Sequence, residues 1–141
     1  MIYLLDTNVL SETMRPAPSP AVASWLRKLP LRSLFTAAIC QAEILAGVAV
    51  LAEGRRRSEL EAMAAGMFSQ DFDGRILPFD SSAAAAYAQL FAIRRQKGRP
   101  IATADLIVAA TARSHDAAVV TRDAGGFEDC GVEVIDPWIA S

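Results

Sequence analysis

The chain has 141 residues, 52% of them hydrophobic, and 14 basic against 16 acidic side chains give it a formal net charge of -2. That length suits one domain able to bury about 68 to 70% of its unfolded surface without covalent staples, and the charge excludes a protein that holds nucleic acid by bulk positive potential, leaving only local basic patches. A mean hydropathy of +0.26 is rich for a small domain and points to surface covered by another subunit or partner.

The first element is Ile2-Tyr3-Leu4-Leu5, an unbroken apolar run of the kind buried on both faces of a parallel sheet, which breaks abruptly into Asp6-Thr7-Asn8. Asp6 then projects from the carboxyl end of a strand, the edge where open α/β sheets bind ligands. No basic segment precedes this run, so no signal peptide is expected. A short helix with Val9, Leu10 and Met14 leads to a proline-rich loop, where Ser19 reads as an N-cap with Pro20 at the first helical position. Val22, Trp25, Leu26 and Leu29 form the stripe of an amphipathic helix that Pro30 stops.

Ser33 to Thr36 predicts a second strand, Ala38 to Glu53 a helix stopped by Gly54, and the following segment a second helix with Leu60, Met63 and Met67 on one face, completing a helical hairpin. The apolar stretch from Thr36 to Ala52 contains Gln41 and Glu43, falls short of a membrane span and reads as a buried helix. Arg75 to Phe79 is a weak strand whose Pro78 favours a sheet edge. Ser81 or Ser82 caps a helix bearing Tyr87, Leu90 and Phe91 that ends at Gly98. Thr103, as N-cap, opens a helix to His115, followed by a buried strand from Ala117 to Thr121 and a last one from Val132 to Ile135. This alternation predicts an α/β fold with a largely parallel sheet, one domain over 1–141 with no repeat or linker. Cys40 and Cys130 have neither metal-ligand spacing nor a secreted context, and read as buried thiols of a reducing cytoplasm.

Three further carboxylates stand against the pattern. Glu43 shares a helical row with Ile39 and Gly47; alone it reads as an edge residue whose head reaches water, although Gly47 permits close approach of another backbone. Asp105 heads a helix that is apolar on most faces; an acid is ordinary in a first turn, but if buried it must be paired, hydrogen-bonded or metal-bound. Asp123 lies just past a second apolar strand, as Asp6 does, and alone is a turn residue before Gly125-Gly126. Were the four to converge, unit charges ~4 Å apart would cost on the order of 4 kcal/mol per pair at an effective dielectric of ~20. Either some stay protonated or a divalent cation sits among them, and oxygen-only donors point to Mg²⁺ or Mn²⁺.

With Tyr3-Leu4-Leu5-Asp6-Thr7-Asn8, Ala42-Glu43-Ile44-Leu45-Ala46-Gly47, Ala104-Asp105-Leu106-Ile107-Val108-Ala109-Ala110-Thr111-Ala112 and Val120-Thr121-Arg122-Asp123 in this order, the chain resembles the PIN-domain family, and within it the VapC-type toxins, including the FitB-like branch, of bacterial toxin-antitoxin pairs. Val132 to Trp138 is similar to the family's end. The resemblance implies a three-layer α/β/α sandwich with a five-stranded parallel sheet. It also implies a Mg²⁺- or Mn²⁺-dependent endoribonuclease that cuts RNA by metal-assisted attack of water. Carried over by residue, Asp6 and Asp105 are direct ligands, Glu43 a ligand or water-positioning base, and Asp123 a ligand, directly or through water. Thr7 and Asn8 orient the shell around Asp6. Similar toxins often have Asn at the fourth position, where this chain has Asp123, which adds charge and leaves one or two ions open. Homodimers, and a cognate antitoxin that inserts an arginine-bearing tail at the acidic groove, are also implied.

Among the cations, Arg94, Arg95, Lys97 and Arg99 form a basic run that either meets RNA phosphates or complements a helix C-terminus. Arg122 either binds phosphate or neutralises the acids. Arg55 to Arg57 read as a solvated turn, His115 as a helix-end residue, and Trp25 and Trp138 as packing or interface aromatics. Two other functions compete: a catalytically silent module that binds RNA or an antitoxin, and a phosphotransfer protein using Asp6 as nucleophile. Asp6-Thr7-Asn8 lacks the phosphatases' second acid two residues on.

Overall fold

In the computed structural model, which describes residues 1–140, β1 (Ile2–Leu5) is the centre of a five-stranded, all-parallel sheet. On one side it pairs with β2 (Leu34–Ala37), and β2 with β3 (Ile76–Leu77) at the edge; on the other it pairs with β4 (Ala117–Val120), and β4 with β5 (Val134–Ile135). Parallel neighbours need crossovers, and helices supply them. α1 (Thr7–Thr13) and α2 (Pro20–Arg27) join β1 to β2; α3 (Ala38–Ala49) and α4 (Arg55–Gly66) join β2 to β3; α5 (Ser81–Gln96) and α6 (Thr103–Ser114) join β3 to β4. The chain winds outward from β1 in one direction and then returns to the other side, so right-handed crossovers cover both faces, giving the predicted α/β/α layers. The reversal makes the carboxyl ends of β1 and β4 the topological switch point, where a crevice opens for a ligand.

The unbroken apolar strands are buried as their composition requires: Leu4, Leu5 and all of Ala117–Val120 lie in the core with Val9, Leu10, Leu106 and Val108. Register follows from this burial, pairing Leu5 with Val120 and Ile2 with Ala117. β3 lies at the edge just before Pro78, which has no N–H for a further partner.

Local signals at helix starts misled in two places and held in position in a third. Asp80, not Ser81 or Ser82, is the N-cap of α5, its carboxylate accepting from Ala83 N at 3.0 Å. Ala102, not Thr103, precedes α6 and offers no side-chain cap. Ser19 does precede α2, but its hydroxyl makes no cap; its own N–H donates to Glu12 Oε2 at 2.9 Å. α4 ends before Met67, which enters a π turn, Met67–Asp71, with Met67 and Phe68 buried. The expected buried helix, α3, is buried only at Cys40, Ile44 and Val48, whereas Leu45 is 46% exposed and Val50, its C-cap, 83%. Among the described residues no helix is long and apolar enough to cross a membrane.

Candidate metal centre

Asp6 extends β1 by one hydrogen bond, its N–H to the Val120 carbonyl at 2.9 Å, and then serves as N-cap of α1. The pairing of β1 with β4 therefore sets Thr121 beside Asp6. The Thr121 hydroxyl donates to Asp6 Oδ2 at 2.9 Å and accepts from Asn8 Nδ2 at 3.0 Å and from Asp123 N at 3.1 Å. A hydroxyl has one proton and two lone pairs, so these three bonds exhaust it and fix its direction. Asp6 Oδ1 accepts from Thr7 N at 2.8 Å and from the Cys40 thiol at 3.8 Å. With three of about four acceptor positions used, Asp6 keeps one lone pair for a ligand.

Glu43 reaches this point from α3. It stands beside the buried Cys40–Ile44–Val48 face and is itself exposed, and Thr7 Oγ1 donates to its Oε1 at 2.6 Å. Oxygens of Asp6 and Glu43 and the Cys40 sulfur lie within 4.8 Å of one another. Asp105 enters from the first turn of α6, half-buried, and among the described residues no hydrogen-bond donor meets its carboxylate. Asp123 follows β4; its carboxylate lies so close to Gly126 that a Cβ there would come within 2.7 Å of Oδ2 and push the carboxylate aside. Asp6, Glu43 and Asp105 line one cavity of about 450 Å³ together with Thr7 and Asn8.

The electrostatics report the crowding. Burial raises the Asp6 pKa above its usual 3.8, opposed by the Thr7 N–H and Thr121 hydroxyl and reinforced by the charge of Glu43. Asp105 is raised first by burial and then by Asp6, Asp123 and Glu43, so all four carboxylates share one field. The Cys40 thiol, buried beside Asp6, is pushed up to about 12 and acts as a neutral donor. The oxygen-rich donor set, the undonated Asp105 and this mutual repulsion fit a hard divalent cation.

The basic run does not join this cleft. Arg94 is 5% exposed, its Nε donating to the Arg99 carbonyl at 2.6 Å and its Nη1 to the Glu128 carbonyl. Burial, with two of its nitrogens held by backbone carbonyls, removes it from the surface RNA would meet, which corrects its reading as a substrate contact. Arg99 pairs with Glu128 at 2.8 Å and Asp129 at 3.7 Å, and Lys97 with Asp129 at 2.9 Å, all at the surface and away from the acidic cavity. Arg95, though exposed, lines a separate cavity of about 90 Å³ with Phe91 and Ile101. Arg55 and Arg57 pair with Glu59 and Glu61 one turn on. Arg122 does line the acidic cleft, as do Trp138, read from the sequence only as a packing or interface aromatic, and Glu12 and Arg15, which the sequence pattern did not single out. Thr121 was equally hidden; its only signal is its place at a strand end two residues before Asp123.

A family model described as PIN domain matches residues 3–132. The chain belongs to the PIN domain family. Toxin FitB of Neisseria gonorrhoeae is 44% identical over 137 residues, covering 97% of this chain and 99% of that protein. VapC ribonuclease Y4jK of Sinorhizobium fredii is 38% identical over 137 residues, covering 97% and 98%. Among solved structures, FitAB bound to an IR36 DNA fragment superposes with a TM-score of 0.93 at 42% identity, over 99% of this chain and 98% of that one. In this PIN domain the matched stretch contains all four acids; Asp6, Glu43 and Asp105 line the cavity at the switch point between β1 and β4, whereas Asp123 follows β4 without lining it.

Proposed function

We propose that the chain is a divalent-cation-dependent endoribonuclease acting as the toxin of a toxin-antitoxin pair, one PIN domain over 1–141. The observation that carries it is Asp105, half-buried with no donor among the described residues and raised by its burial and then by three other carboxylates; the relatives' names as toxin and ribonuclease supply the substrate class. Asp6 and Asp105 would hold the cation, with Glu43 and Asp123 completing the oxygen set, and Mg²⁺ or Mn²⁺ suits such donors. When bound, the cation supplies Lewis-acid stabilisation of the phosphoryl transition state and a more acidic water.

The chain's own residues divide the remaining work. Thr7 occupies one lone pair of Glu43 Oε1 and so aims the other carboxylate oxygen, which can take a proton from the attacking water. Thr121 and Asn8 keep Asp6 from rotating. The water attacks phosphorus, one P–O bond of the backbone breaks, and the leaving oxygen takes up a proton. Phosphotransfer through Asp6 is disfavoured, because the carboxylate is 5% exposed and held by three donors.

An antitoxin fits the apolar surface that α3 leaves open. A groove of about 290 Å³, lined by Met14, Ile44, Val48, Leu51 and Leu60, runs beside Thr7 and Glu43. The related FitAB complex supports this partner, and the high apolar content supports a homodimer as well. The two free cysteines suit a reducing cytoplasm. The decisive experiment incubates purified protein with total RNA. Cleavage is expected with Mg²⁺ or Mn²⁺, is lost in EDTA, and falls at least about 100-fold in Asp6→Asn. Undiminished cleavage by that variant would overturn the assigned site.

A further inference from the structure

One wall of the acidic cleft has no role in holding a cation. Arg15, Arg122 and Trp138 line the same cavity as Asp6, Glu43 and Asp105. The Arg122 N–H donates to Asn8 Oδ1 at 3.2 Å, which ties its backbone to the shell around Asp6. Its guanidinium carbon lies 4.7 Å from the centroid of the Trp138 ring, and the Trp138 backbone N–H donates to Asp136 Oδ1 at 2.9 Å. Arg15 is engaged with Glu12 at 3.3 Å. Arg122, by contrast, is exposed and among the described residues forms no ion pair, although Glu12 and the acidic centre are close by.

Stacking on an indole uses the face of a guanidinium and leaves its in-plane N–H fork free, the geometry that grips a phosphate through two parallel bonds. A phosphodiester entering this cleft meets Asp6, Glu43 and Asp105, so a cation lining the same cavity is what admits a polyanion to a chain of net charge -2.

We infer that Arg122 and Trp138 form a phosphate subsite for single-stranded RNA next to the bond that is cut, Arg122 gripping the phosphate and Trp138 fixing the plane of its guanidinium. This rests on the ribonuclease reading, and the test separates the two. Binding of a short fluorescein-labelled single-stranded RNA of mixed sequence is followed by anisotropy in EDTA across a KCl series, and kcat and KM are measured separately with Mg²⁺ or Mn²⁺. Arg122→Ala is expected to weaken binding about 10-fold, to flatten the log-log salt dependence by about 0.7, and to raise KM with little change in kcat.

Arg122→Lys restores the salt slope but not the full affinity, because an ammonium has no planar fork. Trp138→Phe, which keeps an aromatic face and packs in place, binds better than Trp138→Ala. In a Trp25→Phe background the emission of Trp138, the remaining indole, changes as RNA is added. Wild-type affinity and slope in Arg122→Ala, in a preparation whose wild type cuts RNA, overturn the subsite and leave the ribonuclease reading standing. A wild type that neither binds nor cuts RNA overturns both.

Discussion

Thr121 is the residue on which the acidic centre turns, because one hydroxyl connects Asp6, Asn8 and the backbone of Asp123. Removing it leaves an Asn8 N–H and the Asp123 N–H without their acceptor and frees one oxygen of Asp6. Thr121→Val preserves the β-branched shape that β4 packs around, so the loss is confined to those bonds. We expect a fall in stability of about 1 to 3 kcal/mol, read by urea unfolding, and a fall in cleavage of about 10- to 100-fold. Thr121→Ser restores the donor and acceptors and is expected to recover most of the cleavage. If Val cuts RNA as well as Thr, the hydroxyl does not orient Asp6.

Between elements, Arg94 does for the loops what Thr121 does for the strands. From the last turn of α5 its buried guanidinium holds the Arg99 carbonyl, in the loop entering α6, and the Glu128 carbonyl, in the loop after Asp123. Arg94→Met keeps the bulk and strands both carbonyls, so we expect a loss of about 2 to 4 kcal/mol in urea unfolding. Wild-type stability would show that water satisfies those groups equally well. This residue also shows where sequence reading stops. Its place near a helix C-terminus among other cations is visible in the chain, but the Glu128 carbonyl that claims it comes from 34 residues away. Strands β1 and β4 were legible because a parallel strand buried on both faces must be apolar throughout. Asp6 and Asp123 were legible because acids at the ends of such strands break that rule. Thr121 was not, since its meaning depends on a strand pairing that spans 115 residues. The caps failed for a related reason: several hydroxyls and carboxylates near a helix start satisfy the composition rule, and backbone geometry selects one. The exposure of α3 escaped because composition cannot distinguish a helix buried in the core from one that leaves apolar side chains at the surface.

At the scale of the molecule, four carboxylates in one field make stability depend on pH and on a cation. Asp6 and Asp105 have folded-state pKa values above the ordinary 3.8, so the folded chain binds their protons more tightly than the unfolded one. Ionising them therefore costs stability: the metal-free protein is penalised at neutral pH, and the penalty shrinks as pH falls through the folded values toward 3.8. Glu12 and Asp129 are shifted the other way by the Ser19 N–H and by Lys97, and their contributions are lost in acid. Comparing wild type in EDTA with Asp105→Asn, the position whose carboxylate meets no donor among the described residues, cancels those opposing groups. The variant is expected to be the more stable at pH 7, with its advantage narrowing as the pH approaches 4.5. A cation reverses the order, since only the wild type has the full set of ligands. At 100 times its dissociation constant, Mg²⁺ or Mn²⁺ should stabilise the wild type by about 2.7 kcal/mol, roughly 8 °C in Tm, and the variant much less. Calorimetric scans of the two proteins at both pH values, with and without metal, check all of this at once. A Tm that ignores the metal in both would mean that these carboxylates repel one another without an ion to hold, and that burial alone keeps Asp6 and Asp105 in place.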